Sequence, residues 1–189
     1  MFDKTFSYLS TNINAIALVV LLVLSIYIIF SIWIFIYRYK IISVWMSKEK
    51  KSLDSLLMGL DKPLPDSMLY NCISTDDKPE KFMLEACLQK ALVKATSGLS
   101  FLSVIATTSP FIGLFGTVVS ILDAFAGFGK GSASSTLNII APAISEALIA
   151  TAAGIFVAIF AYTFHQILKR KSFELISMIE IEKDIILSK

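Results

Sequence analysis

Two threonines and one glutamate are the side chains of this sequence best suited to handling protons in an apolar environment. Thr117 lies in the apolar stretch Ser97–Phe125, and Glu146 and Thr151 lie in a second apolar stretch, Leu137–Leu168. A hydroxyl group both donates and accepts hydrogen bonds, so it can orient water along a proton route without holding a fixed charge. An ionisable group at membrane depth is costly unless it lines a cavity or meets a partner. These three residues are therefore candidates for a proton pathway.

Small side chains accompany the two threonines. The helical period places two sets of residues on one helix face each: Pro110, Gly113, Thr117 and Ser120 in the first stretch, and Ala147, Thr151, Gly154 and Ala158 in the second. Such faces let helices pack closely in lipid, with the hydroxyls bonded back to their own helix. Alternatively, the two faces line a cavity that admits water or a partner helix. The residues alone leave both interpretations open.

Glu146 favours the second interpretation. Its position is about ten residues, or about 15 Å, inside the second stretch from the end near Leu137. A carboxyl group there is either a protonated buried acid, a member of a salt bridge, or exposed to water. The sequence has no Lys or Arg at a comparable depth in any apolar stretch, which disfavours a salt bridge within the chain.

Composition and hydropathy indicate the elements that carry these residues. The chain has 189 residues, 56% of them hydrophobic, and a mean hydropathy of +0.73, which is typical of an integral membrane protein. Runs of about 20 apolar residues predict membrane-spanning helices, so the expected fold class is an all-α membrane protein with three spans. In chain order, the predicted segments are a polar lead (1–14), span one (15–37), a polar helical region (38–97), span two (98–125), a loop (126–136), span three (137–168) and a C-terminal helix (169–189).

The distribution of basic residues predicts the orientation. Region 38–97 and the tail 169–189 are rich in Lys and Arg, whereas loop 126–136 has a single Lys. The positive-inside rule then places the N-terminus in the periplasm and the C-terminus in the cytosol. The second and third spans are expected to continue as helices into the cytosol. A helix starting near Lys78–Glu80 is predicted to run unbroken past Gly98 into the second span.

Other function classes find little support in the sequence. It contains no nucleophile–base pair, no cluster of metal ligands, and no phosphate-binding loop in the required context. It also has no basic patch suited to nucleic acid. We therefore expect neither an enzyme nor a cofactor or metal site, with protons as the only transported species. Cys72 and Cys87 lie in the region predicted to be cytosolic, where thiols stay reduced.

Two sequence motifs resemble a known family. GLFGTVVSILDAF (Gly113–Phe125) is similar to the second-span motif of the MotA/TolQ/ExbB proton channel family, and IAPAISEALIATAAGIFVAI (Ile140–Ile159) is similar to its third-span motif. The three predicted spans resemble ExbB and TolQ more than the longer, four-span MotA-type stators, and EALIATAAG is closest in pattern to TolQ. One departure is Phe160, where the family usually has a proline.

The resemblance implies a homopentamer in the bacterial inner membrane. Its pore would surround a dimer of an ExbD/TolR-type single-span partner, whose membrane aspartate takes and releases the proton. The family's motif residues correspond to Thr117, Thr151 and Glu146, and the small faces would line the pore. The implied role is a TolQ-like stator of the Tol-Pal system, which maintains the outer membrane, acting with a TolA- or TonB-type protein. An ExbB-like subunit energising TonB-dependent uptake and a non-conducting membrane scaffold are the alternatives.

Overall fold

The computed structural model describes residues 15–60, 62–70, 81–126 and 136–188, and this part of the chain contains four α-helices. Their bounds are Ala15–Leu57 (α1), Lys81–Thr96 (α2), Leu99–Ala126 (α3) and Thr136–Ser188 (α4). A helix satisfies its own backbone hydrogen bonds, as a segment surrounded by lipid must. The predicted all-α fold class is confirmed for the described residues.

Three of the four helices, α1, α3 and α4, are long and apolar enough to cross a membrane. This agrees with the three predicted spans and with a multi-pass membrane protein. Helix α1 has 43 residues and α4 has 53. At about 1.5 Å per residue, both exceed twice the thickness of the hydrocarbon core, which is about 30 Å. Each of these two helices is therefore longer than one membrane crossing requires.

The predicted continuity of the helix entering the second span is wrong. Helix α2 ends at Thr96 and α3 begins at Leu99, with Gly98 between them at a φ of 83°. A positive φ is strained for other residues but open to glycine, which commonly ends a helix in this way. The apolar pattern from residue 80 onward has helical spacing on both sides of the break, so it did not reveal the interruption.

A long-range contact stabilises the end of α2. The last carbonyl groups of a helix have no partner within it. The Nη2 atom of Arg38, on α1, donates to the carbonyl oxygens of Lys94 at 2.8 Å and Ala95 at 2.7 Å. The hydroxyl of Ser172, on α4, also donates to the Ala95 oxygen, at 2.9 Å. Arg38 is 9% exposed, so its guanidinium is a buried cation that caps the helix.

Removing the guanidinium should destabilise this end of α2. We expect Arg38→Ala to lower the free energy of unfolding by about 2 kcal/mol, because it leaves two buried carbonyl groups with fewer donors. Denaturant unfolding of the purified chain in detergent, followed by helical circular dichroism, measures this change. Lys40→Ala removes an exposed positive charge two positions further on and serves as the control. Equal stability of the two variants would contradict the capping role.

Two compact units can be distinguished in the chain. The first contains the described residues up to Ile32 together with Leu102–Thr163, and the second contains those of Trp33–Phe101 and Phe164–Lys189. The core of the first unit joins three helices through these buried side chains: Val20 and Leu24 of α1, Ile105 of α3, and Ala150, Val157 and Ala161 of α4. Large apolar side chains such as Phe111, Phe115 and Phe156 are exposed on the outside of this unit, as a lipid-facing surface requires.

The second unit packs parts of all four helices with the turn segment 62–70. The rings of Phe35 and Phe164 are stacked with centroids 4.4 Å apart. The Lys171 ammonium donates to the Ser43 hydroxyl at 3.0 Å and lies 3.9 Å from the centre of the Tyr39 ring. These contacts connect α1 and α4 within this unit.

Some predictions concern residues outside the described part of the chain. The lead 1–14 lies wholly outside it, as do residues 127–135 of the predicted loop and Cys72. The structure has Cys87 in a disulfide, so the prediction that this thiol is free is wrong. That prediction followed from the assigned compartment and not from any local packing.

Candidate functional site

The side chains of Thr117 and Thr151 meet where α3 and α4 pack together in the first unit. Their hydroxyl groups are hydrogen-bonded to each other, although 34 positions separate the two residues in sequence. Both side chains are half-buried. The structure therefore brings together the two threonines that sequence reasoning singled out on separate helices.

The two hydroxyls also face backbone carbonyl groups on both helices. The Thr117 oxygen lies 3.3 Å from the carbonyl oxygen of Gly113 and 3.2 Å from that of Ala147. The Thr151 oxygen lies 3.2 Å from the same Gly113 carbonyl oxygen. Each hydroxyl has one proton to donate, so the two protons can be distributed over these acceptors in more than one way. Rotation of the hydroxyls interconverts the arrangements, which is the property that a proton relay needs.

Other threonines on the same helices behave differently. Thr107 and Thr108 on α3, and Thr163 on α4, donate to carbonyl groups three or four residues earlier in their own helix. Such back-bonding is the ordinary behaviour of a hydroxyl in an apolar helix. Thr117 and Thr151 are distinguished from them by bonding across the interface between the helices.

Two glycines make this close approach possible. A methyl group placed on Gly154 would lie 2.6 Å from the carbonyl oxygen of Ser109, and one on Gly113 would lie 2.8 Å from that of Ala150. Both distances are far below van der Waals contact, and the atoms encountered belong to the backbone. Small residues allow such contacts between membrane helices. The glycines thus set the separation of α3 and α4 at which the two threonines meet.

The remaining predicted site residues lie on the same two helices. Ala147 and Ser120 are buried, at 0% and 1% exposure, and the Ala147 carbonyl oxygen faces the Thr117 hydroxyl. The Ser120 hydroxyl has no hydrogen-bond partner among the described residues. Pro110, inside α3, and Ala158 are half-buried. The pore-lining role of the small faces stays a prediction.

Glu146 is half-buried and directly precedes Ala147 on α4. It is five residues from Thr151, or about 7.5 Å along the helix axis. The two side chains thus belong to neighbouring turns but different faces of α4. The place of Glu146 on a proton pathway stays a prediction.

Sequence reasoning missed two buried acids in the second unit. Glu49 on α1 is 1% exposed, and Glu182 on α4 is 0% exposed. By residue type alone, a charged side chain on a helix is expected on its solvated face. The sequence does indicate the burial of Glu182. This residue follows Leu175 and Ile179 at helical spacing, and both of them are fully buried on the same helix. An acid at a core position of an apolar stripe requires a specific partner.

Comparison with known proteins gives a family match over most of this chain. The sequence pattern of the MotA/TolQ/ExbB proton channel family matches residues 60–181. The chain is 40% identical to the ExbB-like 1 biopolymer transport protein of Helicobacter pylori strain J99, and the match covers the full length of both proteins.

Shorter matches connect the chain to proteins of two different names. The biopolymer transport protein ExbB of Pseudomonas putida is 39% identical over 89 residues, which are 47% of this chain and 27% of that protein. The Tol-Pal system protein TolQ of Pseudomonas aeruginosa is 48% identical over 66 residues, which are 35% of this chain and 28% of that protein. This chain is therefore similar to proteins of both names.

Proposed function

The chain belongs to the MotA/TolQ/ExbB proton channel family, and we propose that it is an inner-membrane stator subunit of a motor driven by the proton-motive force. In this role it surrounds the membrane helices of an ExbD/TolR-type partner and couples proton flow to mechanical work at the outer membrane. The observation that carries the proposal is the hydroxyl pair, Thr117 and Thr151, contributed by two different membrane helices.

In the proposed complex, this chain and its partner contribute different groups to the proton pathway. The hydroxyls of Thr117 and Thr151 exchange hydrogen bonds and can pass a proton between acceptors, but neither holds a charge. A carboxylate that takes up and releases the proton is supplied by the partner's membrane aspartate. Glu146 adds an ionisable group near the pathway. In the proposed orientation the N-terminus is periplasmic, and region 38–97 and the C-terminal tail 169–189 are cytosolic.

Two functional roles are compatible with membership of this family. A TolQ-like role in the Tol-Pal system is favoured by the third-span motif EALIATAAG, which resembles TolQ. An ExbB-like role in energising TonB-dependent uptake is favoured by the relative that matches the whole chain, whose name is ExbB-like. Purification of the chain under native conditions distinguishes them, because the co-purifying energy-transducing protein would be of the TolA type in one case and of the TonB type in the other.

The proposed assembly is a pentamer of this chain around a dimer of the partner. We expect native mass spectrometry of the complex, extracted gently from its own membrane, to give a mass matching that composition. A non-conducting scaffold is the rival function, and it predicts assembly without any dependence on the proton-motive force. Recovery of the chain without a single-span partner under all extraction conditions would contradict the stator proposal.

A further inference from the structure

Three elements of the second unit meet at the buried acids Glu49 and Glu182. Ser67, from the turn segment 62–70, is 4% exposed and lies between them. Its hydroxyl oxygen is 2.9 Å from Oε2 of Glu49 and 3.1 Å from Oε2 of Glu182. The segment is held further by the backbone amide of Met68, which donates to Oε1 of Glu49 at 2.6 Å.

The number of protons decides how this bridge can form. The Ser67 hydroxyl has one proton and can donate it to only one of the two carboxylates. A second hydrogen bond between Ser67 and an acid therefore requires that the acid itself be protonated and donate. Glu49 is the better anion, because it accepts from the Met68 amide as well. Oε1 of Glu182 is buried and has no hydrogen-bond partner among the described residues, an arrangement that is costly for a full negative charge.

We propose that Glu182 holds a proton and donates it to Ser67, which in turn donates to the Glu49 carboxylate, and that this proton clamps segment 62–70 onto α1 and α4. Loss of the proton places two like charges next to each other at a buried site, where both carboxylates can only accept from the Ser67 hydroxyl. The clamp then opens and releases the segment. The inference concerns the second unit and does not depend on the proposed function.

The surrounding charges do not replace the proton. Among the described residues, neither acid of the pair has a cation within ion-pair distance. Lys48 on α1 pairs with Asp66 of the segment at 3.5 Å, and Lys183 on α4 pairs with Asp184 at 3.3 Å. On α2, the exposed residues Lys90 and Lys94 line the same cavity of about 350 Å³ as Glu49. In the described part of the chain, no cation is therefore close enough to pair with a second carboxylate at the bridge.

The pKa of Glu182 is shifted upward, as a protonated side chain in the clamp requires. Burial, and after it the charge of Glu49, raise the pKa of Glu182 from 4.5 to about 7, while the hydroxyls of Ser67 and Ser52 act in the opposite sense. Glu182 lies 14 residues beyond the predicted third span. Between pH 4.5 and about pH 7, Glu182 is therefore protonated in the folded state and ionised in the unfolded state. The clamp therefore contributes most to the free energy of unfolding below pH 4.5, and this contribution is lost as the pH rises to about 7.

Infrared difference spectroscopy of the full chain in detergent tests the assignment of the proton. The C=O stretch of a protonated carboxyl group should disappear as the pH is raised through about 7. Glu182→Gln should abolish this titrating band, because the amide replaces the protonated acid and can still donate to Ser67. Glu49→Gln should move the titration to lower pH, since it removes the like charge. Glu180→Gln, an exposed neighbour on α4, should leave the band unchanged.

Hydrogen exchange tests the clamp itself. In the wild type, the amides of Met68 and Leu69 should exchange more than about tenfold faster at about pH 8 than at about pH 6, after correction for the intrinsic rate. The Glu182→Gln chain should show no such acceleration. A titrating carboxyl band that survives in Glu182→Gln, or an equal acceleration of exchange in both chains, would overturn the proposal.

Discussion

Replacing Thr151 by valine is expected to abolish proton-driven coupling while leaving the complex assembled. Valine has nearly the same shape but no hydroxyl, so it removes the hydrogen bond to Thr117 and the donation to the Gly113 carbonyl without opening a cavity. Groups positioned to accept and release a proton accelerate its transfer by about 10²-fold or more. We therefore expect the energised function of the motor to fall by about that factor in cells that carry the variant at normal abundance.

Two matched variants make this expectation specific. Thr151→Ser keeps a hydroxyl at the contact and should retain most of the activity. Thr163→Val also removes a hydroxyl from this helix. That hydroxyl donates to the Ile159 carbonyl of its own helix, so its loss should leave the activity unchanged. If Thr151→Val behaved like Thr163→Val, the threonine contact would be a packing feature and not part of a proton route.

Replacing Gly154 by alanine is expected to have the largest effect on stability. The added methyl group would lie 2.6 Å from the Ser109 carbonyl oxygen and 3.0 Å from Cα of Gly113, so the backbones of α3 and α4 must move apart. Overpacking of this kind costs about 1–3 kcal/mol, and more where only backbone can yield. The variant should unfold at lower denaturant concentration in detergent and should assemble poorly, as size-exclusion chromatography would show.

Gly116→Ala is the control for this prediction. The added methyl group there would meet side-chain atoms, with Val20 Cγ1 at 3.1 Å and Ala150 Cβ at 3.3 Å. These contacts need adjustments of a few tenths of an ångström and no backbone displacement, so the stability should change much less. If both alanine variants had the same stability, the close approach of the two helix backbones would not be what Gly154 provides.

The first unit was largely predictable from the sequence because its packing follows the helical period. The small faces that contain Gly113, Thr117, Thr151 and Gly154 were assigned from spacing, and the structure places these residues in one contact. Large apolar side chains such as Phe111 fall on the opposite faces and are exposed. Helix period alone specifies which residues share a face, and a close glycine contact brings two such faces together.

The second unit was less predictable because its specific contacts join residues that are distant in sequence. The break at Gly98 goes with a cap from Arg38, which lies 56 residues before Lys94 on a different helix. The burial of Glu182 depends on Ser67, which is 115 positions away. Residue type favours a solvated position for a charged side chain, and the tertiary packing shows which groups these two acids contact at their buried positions.

Proton flux into proteoliposomes tests directly whether the Thr117–Thr151 pair handles protons. The vesicles contain this chain together with its single-span partner, and a pH-sensitive dye inside reports proton entry under an imposed gradient. We expect a flux that requires the partner, persists in Thr151→Ser and collapses in Thr151→Val. An equal flux in the wild-type and Thr151→Val complexes would contradict the assignment of the Thr117–Thr151 pair as the proton-handling site of this chain.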